Sequence, residues 1–256
     1  HPLVSIHRWR LRASMPLPQD TMFFDANSFS GASQTVTVGT ANFRMPTVNW
    51  TGATNAPAFN LDVTTEFYGS ITFISAMTLT QGSNTVGFIW LESSRTVTIA
   101  GQSWGAGTIN MISRAGTLTL QDAFSTSGAF NQKAGTLDAN NFSFTASTFD
   151  NSPLAAVARV TTMGSDTWTI TGSGATTWYY NPTAATLNEG TSTLKFTNNS
   201  AVDKTFTGNE TYYNFWNATQ GTGVVIMNSS STWNDFKIDA GRTQQFATTT
   251  TTTVTT

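Results

Sequence analysis

A short motif returns along this chain and constrains its fold more than any other feature: a glycine, one to three threonines or serines, then alternating apolar residues. It stands as Gly107-Thr108-Ile109-Asn110-Met111, Gly116-Thr117-Leu118-Thr119-Leu120, Gly135-Thr136-Leu137 and Gly190-Thr191-Ser192-Thr193-Leu194-Lys195-Phe196. Alternation of this kind sends one row of side chains into a core and the other into solvent, as in a half-buried strand. A strand this short buries too little apolar surface alone, whereas copies stacked on one another enclose a continuous core. The Ala-Gly-Thr-Leu tetrad starting at Ala115 returns at Ala134, and strand-like segments recur on both sides of it. The expected fold is therefore all-β, a β-solenoid (parallel β-helix-like) with short strands and about 20–30 residues per coil. A β-sandwich has the same spacing of strands and stays open as the alternative.

Composition limits what such a chain can do. Hydrophobic residues make up 39% of the 256, yet they include 18 Phe and 8 Trp, enough for an aromatic-rich core. Only 10% of residues are charged, against roughly 25% in an average soluble protein. Thr, Ser, Asn and Gln supply the polar surface instead, which suits a virion exterior or an extracellular, cell-surface setting. A net charge of −2 gives no basic footprint for a nucleic-acid backbone. Cysteine is absent, which excludes disulfides, thiolate metal sites and cysteine nucleophiles. No apolar run reaches the roughly 18 residues of a membrane span.

Four segments are expected. Residues 1–20 form a basic extended arm in which Arg8, Trp9, Arg10 and Arg12 are candidates for assembly contacts. Residues 21–150 and 151–247 are two parts of the solenoid, divided at Asp150-Asn151-Ser152-Pro153, the strongest local break. The following Leu154–Ala158 stretch is the one candidate for a short helical turn. Residues 248–256 are almost entirely threonine and read as a tail or linker, with a further strand as the alternative.

Specific residues add a resemblance. Pro16 to Ser30, with Met22-Phe23-Phe24-Asp25-Ala26-Asn27 at its centre, leads into Gln34-Thr35-Val36-Thr37-Val38. Later come Trp50-Thr51-Gly52, Tyr68-Gly69-Ser70-Ile71-Thr72-Phe73, Asp166 to Gly172 and Lys204 to Gly208 followed by Tyr212-Tyr213-Asn214-Phe215-Trp216. In this order they resemble a broad group of Thr/Gly-rich β-solenoid repeat proteins found in tailed-phage tails and fibres and among bacterial surface proteins. The resemblance covers nearly the whole chain beyond residue 15. It implies stacked parallel strands and a place on a virion or cell exterior, and it carries over no catalytic residue.

The residues that could carry chemistry are few. The chain has 2 His, His1 and His7, both within its first ten residues, which argues against a Ser-His-Asp triad. With the terminal amine they could form a copper brace, but incidental histidines in an arm explain them as well. Carboxylates of adjacent coils could reach the spacing of a glycosidase pair, with Asp122 and Asp138 or Asp62 and Glu66 as conceivable partners. Most acids nevertheless stand beside Asn, Gly or Ser, where a short side chain caps a turn. Trp178-Tyr179-Tyr180 and Tyr212-Tyr213-Asn214-Phe215-Trp216 place aromatics side by side. Strand parity sends at least one ring of each cluster outward, so Trp178, Tyr179, Tyr180, Tyr212, Tyr213 and Trp216 are candidates for a subunit interface or a glycan contact. Thr-x-Thr rows also raise ice binding, although the threonines read as out of register between strands.

The expected function is that of a non-enzymatic structural protein of a phage virion (tail fibre, spike or other exterior component) or a bacterial surface. It would need no cofactor or metal, and would assemble as a homo-oligomer or with neighbouring virion or surface proteins, contacting host glycans. A polysaccharide-binding or polysaccharide-degrading receptor-binding tail spike is the alternative, and an adhesin or ice-binding solenoid the third.

Overall fold

The glycine-punctuated alternation builds a stack of turns rather than two facing sheets. The structure, a computed structural model, describes Leu17 and residues 19–90, 93–154 and 157–255. The first three turns run β1 (Thr21–Phe23), β2 (Thr35–Val38), β3 (Phe43–Met45), then β4 (Thr47–Asn49), β5 (Ala58–Leu61), β6 (Thr65–Phe67), then β7 (Ile71–Thr72), β8 (Thr78–Thr80), β9 (Val86–Trp90). Next come β10 (Arg95–Thr98), β11 (Ile109–Leu120), β12 (Phe124–Ser125), β13 (Ala129–Asp138), β14 (Phe144–Ala146) and β15 (Thr148–Asp150). The chain continues through β16 (Arg159–Thr162), β17 (Thr167–Ile170), β18 (Gly174–Tyr180), β19 (Ala185–Asn188), β20 (Thr193–Phe196) and β21 (Lys204–Gly208). It closes with β22 (Thr211–Asn217), β23 (Val225–Met227), β24 (Ser231–Ile238), β25 (Gln244–Phe246) and β26 (Thr252–Val254).

Every strand pair among the described residues is parallel. That rules out the β-sandwich, whose sheets are antiparallel. The strands sort into three faces. The first is the ladder from β1 through β4, β7, β10, β11, β13 and β16 to β19. The second begins as β2-β5-β8 and resumes as β12-β14-β17-β20-β22-β24-β26, with the Trp104–Thr126 bridge between the two stretches. The third stacks ten strands, β3, β6, β9, β11, β13, β15, β18, β21, β23 and β25, one for each turn of the solenoid. At about 4.8 Å between turns, the third face is roughly 45 Å tall. Turn length varies from 19 residues, between Phe130 and Phe149, to 30, between Gly174 and Lys204.

Two of the glycine–threonine strands turn out to be bends. β11 and β13 each cross from the third face to the first in one run, and Gly116 and Gly135 sit at those corners. Gly135 has φ +84°, a backbone that side-chain-bearing residues rarely adopt. The break at residue 150 interrupts neither stack: β13 pairs with β15 on one face and with β16 on another. The Leu154–Ala158 stretch, expected to allow a helical turn, lies partly outside the described residues. Thr252–Val254, read from sequence as tail or linker, forms the strand β26 on β24, because backbone bonds to an existing edge need no apolar row of their own.

The interior is a column of rings. On the second face Phe124, Phe144, Trp168, Leu194, Phe215 and Phe236 occupy one inward row. On the third, Phe130, Phe149, Trp178, Phe206, Met227 and Phe246 do the same. Rings in adjacent turns stack, with centroids 4.3 Å apart for Phe144–Trp168 and 4.7 Å for Phe149–Trp178. Rings on opposite faces meet edge to face, as Phe149 and Trp168 do at 5.5 Å. Each such pair contributes about 0.5–1.5 kcal/mol beyond its buried area. One corner is polar instead. There Arg159, 1% exposed, donates to Asn151 Oδ1 at 2.7 Å and to the carbonyls of Val157, Asn181 and Thr183. Thr161 and Asn151 both donate to Gln132 Oε1, so the buried amides and hydroxyls satisfy one another across turns.

Candidate functional site

The six aromatic candidates divide between core and surface, and on β22 not by alternation alone: the partly exposed Tyr213 and Asn214 stand together between inward Tyr212 and Phe215, so Trp216 faces opposite to Tyr212. Trp178 (0% exposed), Tyr180 (1%) and Tyr212 (1%) point into the column. Trp178 Nε1 donates to the Tyr212 hydroxyl at 3.1 Å, and burial pushes both phenols well above the ordinary tyrosine pKa. These three hold the core and face neither solvent nor a partner. Tyr179, Tyr213 and Trp216 are the outward members and remain partly exposed. Tyr179 lies on the third face, Tyr213 and Trp216 on the second, so the candidates do not gather into one patch. Arg8, Trp9, Arg10 and Arg12, with His1 and His7, lie outside the described residues.

The carboxylates proposed as pairs are engaged separately. Asp122 accepts from the backbone N–H groups of Ile99 and Ala100, closing a corner of the preceding turn, and Asp138 accepts from Asn140 N–H. Asp62 accepts from the Asn60 amide, while Glu66 accepts from the Tyr68 hydroxyl. Asp25 and Asp150 cap the backbone two residues on, as their Asn and Ser neighbours suggested. Among the described residues no three His, Asp or Glu side chains come close enough to hold a metal ion.

A different group forms the most developed surface site. Lys195, Trp216 and Lys237 are in register on β20, β22 and β24. Both ammonium groups lie 3.8 Å from the Trp216 ring centroid, approaching from the strands on either side. Electrostatic attraction between a cation and the ring face is worth about 0.5–1 kcal/mol at such an exposed site. Trp216 Nε1 donates to Asp239 Oδ1 at 2.9 Å, and Lys237 Nζ is 3.6 Å from the same oxygen. Lys195, Trp216 and Asp239 border a groove of about 460 Å³ that Thr171, Thr197, Asn198, Asn199, Ala218 and Gln220 complete, while Lys237 lies outside its lining and pairs with Asp239. Asn198 is fixed by donating to the Thr171 carbonyl and accepting from Ser200 N–H. The side chains of Thr197, Asn199 and Gln220 make no hydrogen bond among the described residues and are available to a ligand. Asp239 is neutralised by Lys237 from outside the groove, which leaves Lys195 as the lining's one cation without a carboxylate partner among the described residues.

Sequence reasoning had picked out Trp216 but neither lysine nor Asp239. The signal was present as a period: Lys195, Trp216 and Lys237 follow one another at the local turn length of 21 residues. The threonine rows were also closer to register than the sequence suggested. Thr21–Thr47, Thr72–Thr98, Thr96–Thr119 and Thr117–Thr136 are direct neighbours on the first face. Asp138, Val160 and Asn188 interrupt these rows farther along. Comparison of the chain with family models, with curated proteins and with solved structures finds no match.

Proposed function

We propose that this chain is a non-enzymatic structural protein of an exterior surface, a tail fibre, spike or other outer component of a phage virion or a component of a bacterial cell surface. In this reading it assembles with copies of itself or with neighbouring surface proteins and meets glycans along its polar faces. The observation that carries the reading is the column itself: ten turns whose inward rows are filled by rings and aliphatic side chains. The acids that might have served catalysis are occupied in capping corners and holding neighbouring side chains. Faces of hydroxyls and amides hydrate well without relying on charge, which suits a surface that meets sugars in variable salt.

The test is location together with assembly. Antibody detection in purified particles and in the outer-surface fraction of the source cells, with light scattering of the isolated protein, is expected to find it in one of those fractions as a defined oligomer. A monomer confined to the cell interior would overturn the reading. Release of reducing sugar from surface polysaccharide, lost on Asp122→Asn or Asp138→Asn, would replace it with a depolymerase.

A further inference from the structure

The outward row of the second face changes character along its length. It carries Ser125, Thr145 and Thr169 in successive turns, then Lys195, Trp216 and Lys237. The change coincides with the groove of about 460 Å³ and with its unengaged amides and hydroxyl. We propose that this groove binds an acidic saccharide, a sugar residue bearing a carboxylate or a sulfate. The inference rests on the exterior-surface reading only for where such a glycan would be met.

The chemistry follows from what already occupies the tryptophan. A neutral sugar binds an exposed tryptophan by stacking on its face, but here the lysine ammonium groups lie over the ring. An aromatic face attracts an ammonium without using its N–H bonds directionally, so those donors stay free for an anion. Asp239 balances one of the two positive charges and fixes the ring through Trp216 Nε1. The remaining charge matches one anionic group per sugar residue. Asn199, Gln220 and Thr197 along the groove supply donors and acceptors for ring hydroxyls. Volume supports the same class, since the groove falls within the range of small-ligand pockets.

The experiment is isothermal titration of the full chain with polygalacturonate, dextran sulfate, unsubstituted dextran and linear polyphosphate. Binding to one of the first two is expected, a preference for polygalacturonate identifying a carboxylate and for dextran sulfate a sulfate. Replacing the groove lysine, Lys195→Gln, is expected to weaken that binding about tenfold or more. Arg114→Gln, on an exposed residue outside the groove lining, is expected to leave it unchanged. Should Lys195→Gln melt early, Asn199→Ala with Gln220→Ala, both on exposed side chains, provides the second measurement and is expected to weaken the same binding. No binding to either acidic polysaccharide, equal binding to plain dextran or polyphosphate, or indifference to these variants would overturn the proposal. None of those results would bear on whether the solenoid assembles at an exterior surface.

Discussion

Trp178 and Trp216 carry the same ring to opposite fates, and strand parity decides which. Trp178 falls on an inward position of β18, stacks on Phe149 and donates to Tyr212. Trp216 falls on an outward position of β22 and holds two lysines. Trp178→Ala is expected to cost about 3–5 kcal/mol, the loss typical of a large aromatic removed from a packed core. Trp216→Ala is expected to cost about 1–2 kcal/mol, the sum of two exposed cation–ring contacts. Thermal melts compare the two, and acrylamide quenching of tryptophan fluorescence separates their environments. Among the described tryptophans Trp216 alone escapes full burial, so Trp216→Ala should remove most of the quenchable signal that Trp9 does not supply. A titratable residue gives a second test. Burial raises the Glu210 carboxyl above its ordinary pKa of 4.5, and the nearby Glu189 charge adds to the rise. A raised folded-state value means stability that is fully present below 4.5 and lost as pH climbs through the folded value. Glu210→Gln should therefore raise the melting temperature at neutral pH and confer no advantage in acid below 4.5, which melts across a pH series would show.

At the level of the strand and its corner, turns can stack only where backbone meets backbone without a side chain between. Gly107 leads into β11, and a Cβ placed there would sit 1.8 Å from the Asn84 carbonyl oxygen of the turn beneath. Gly107→Val is expected to cost about 3 kcal/mol or more through forced separation of two turns. Gly31, whose Cβ would meet nothing within 4 Å, makes the control. Gly31→Ala should stay within about 0.5 kcal/mol of the parent. Urea melts of the two variants would show whether close approach, rather than glycine content in general, sets the requirement. The same corners explain what the sequence reveals. The Ala-Gly-Thr-Leu repeat reports true register, because Thr117 and Leu118 lie beside Thr136 and Leu137. Parity also separates inward from outward members of the Trp178–Tyr180 cluster once its strand is placed, whereas the adjacent Tyr213 and Asn214 break the alternation of β22 and turn Trp216 opposite to Tyr212. The partner of each ring was not legible, because it depends on how long each corner loop is. Trp178 meets Phe149 only because a turn of 29 residues, with buried Arg159 organising its corner, ends in phase. The groove is not legible in the sequence for a related reason: Lys195 and Lys237 are unremarkable locally and become neighbours of Trp216 only when the chain is read in steps of one turn.

For the molecule as a whole, each turn rests on the one before and the one after, so stability is a sum over neighbours and the ends are the weak points. Among the described residues β25 pairs only with β23, and β26 only with β24. Their outer edges offer unpaired N–H and C=O groups. Ile238, Phe246 and Val254 are 42%, 46% and 46% exposed at this end. Gln244, Gln245, Phe246 and Thr252–Val254 include no charge to discourage strand addition. An edge that is flat, apolar in part and uncharged is a template for another strand. The 256-residue chain is therefore expected to self-associate through this edge in a concentration-dependent manner. Val254→Lys puts a charge at a half-exposed position in register with buried Trp233 and should cost no more than about 1 kcal/mol. It should nevertheless shift light-scattering mass toward the monomer, because like charges would face one another in any edge-to-edge pair. A mass unchanged by Val254→Lys would assign assembly to another surface. Monomer at every concentration would show that the edge is inert and remove the physical basis for self-assembly at this end.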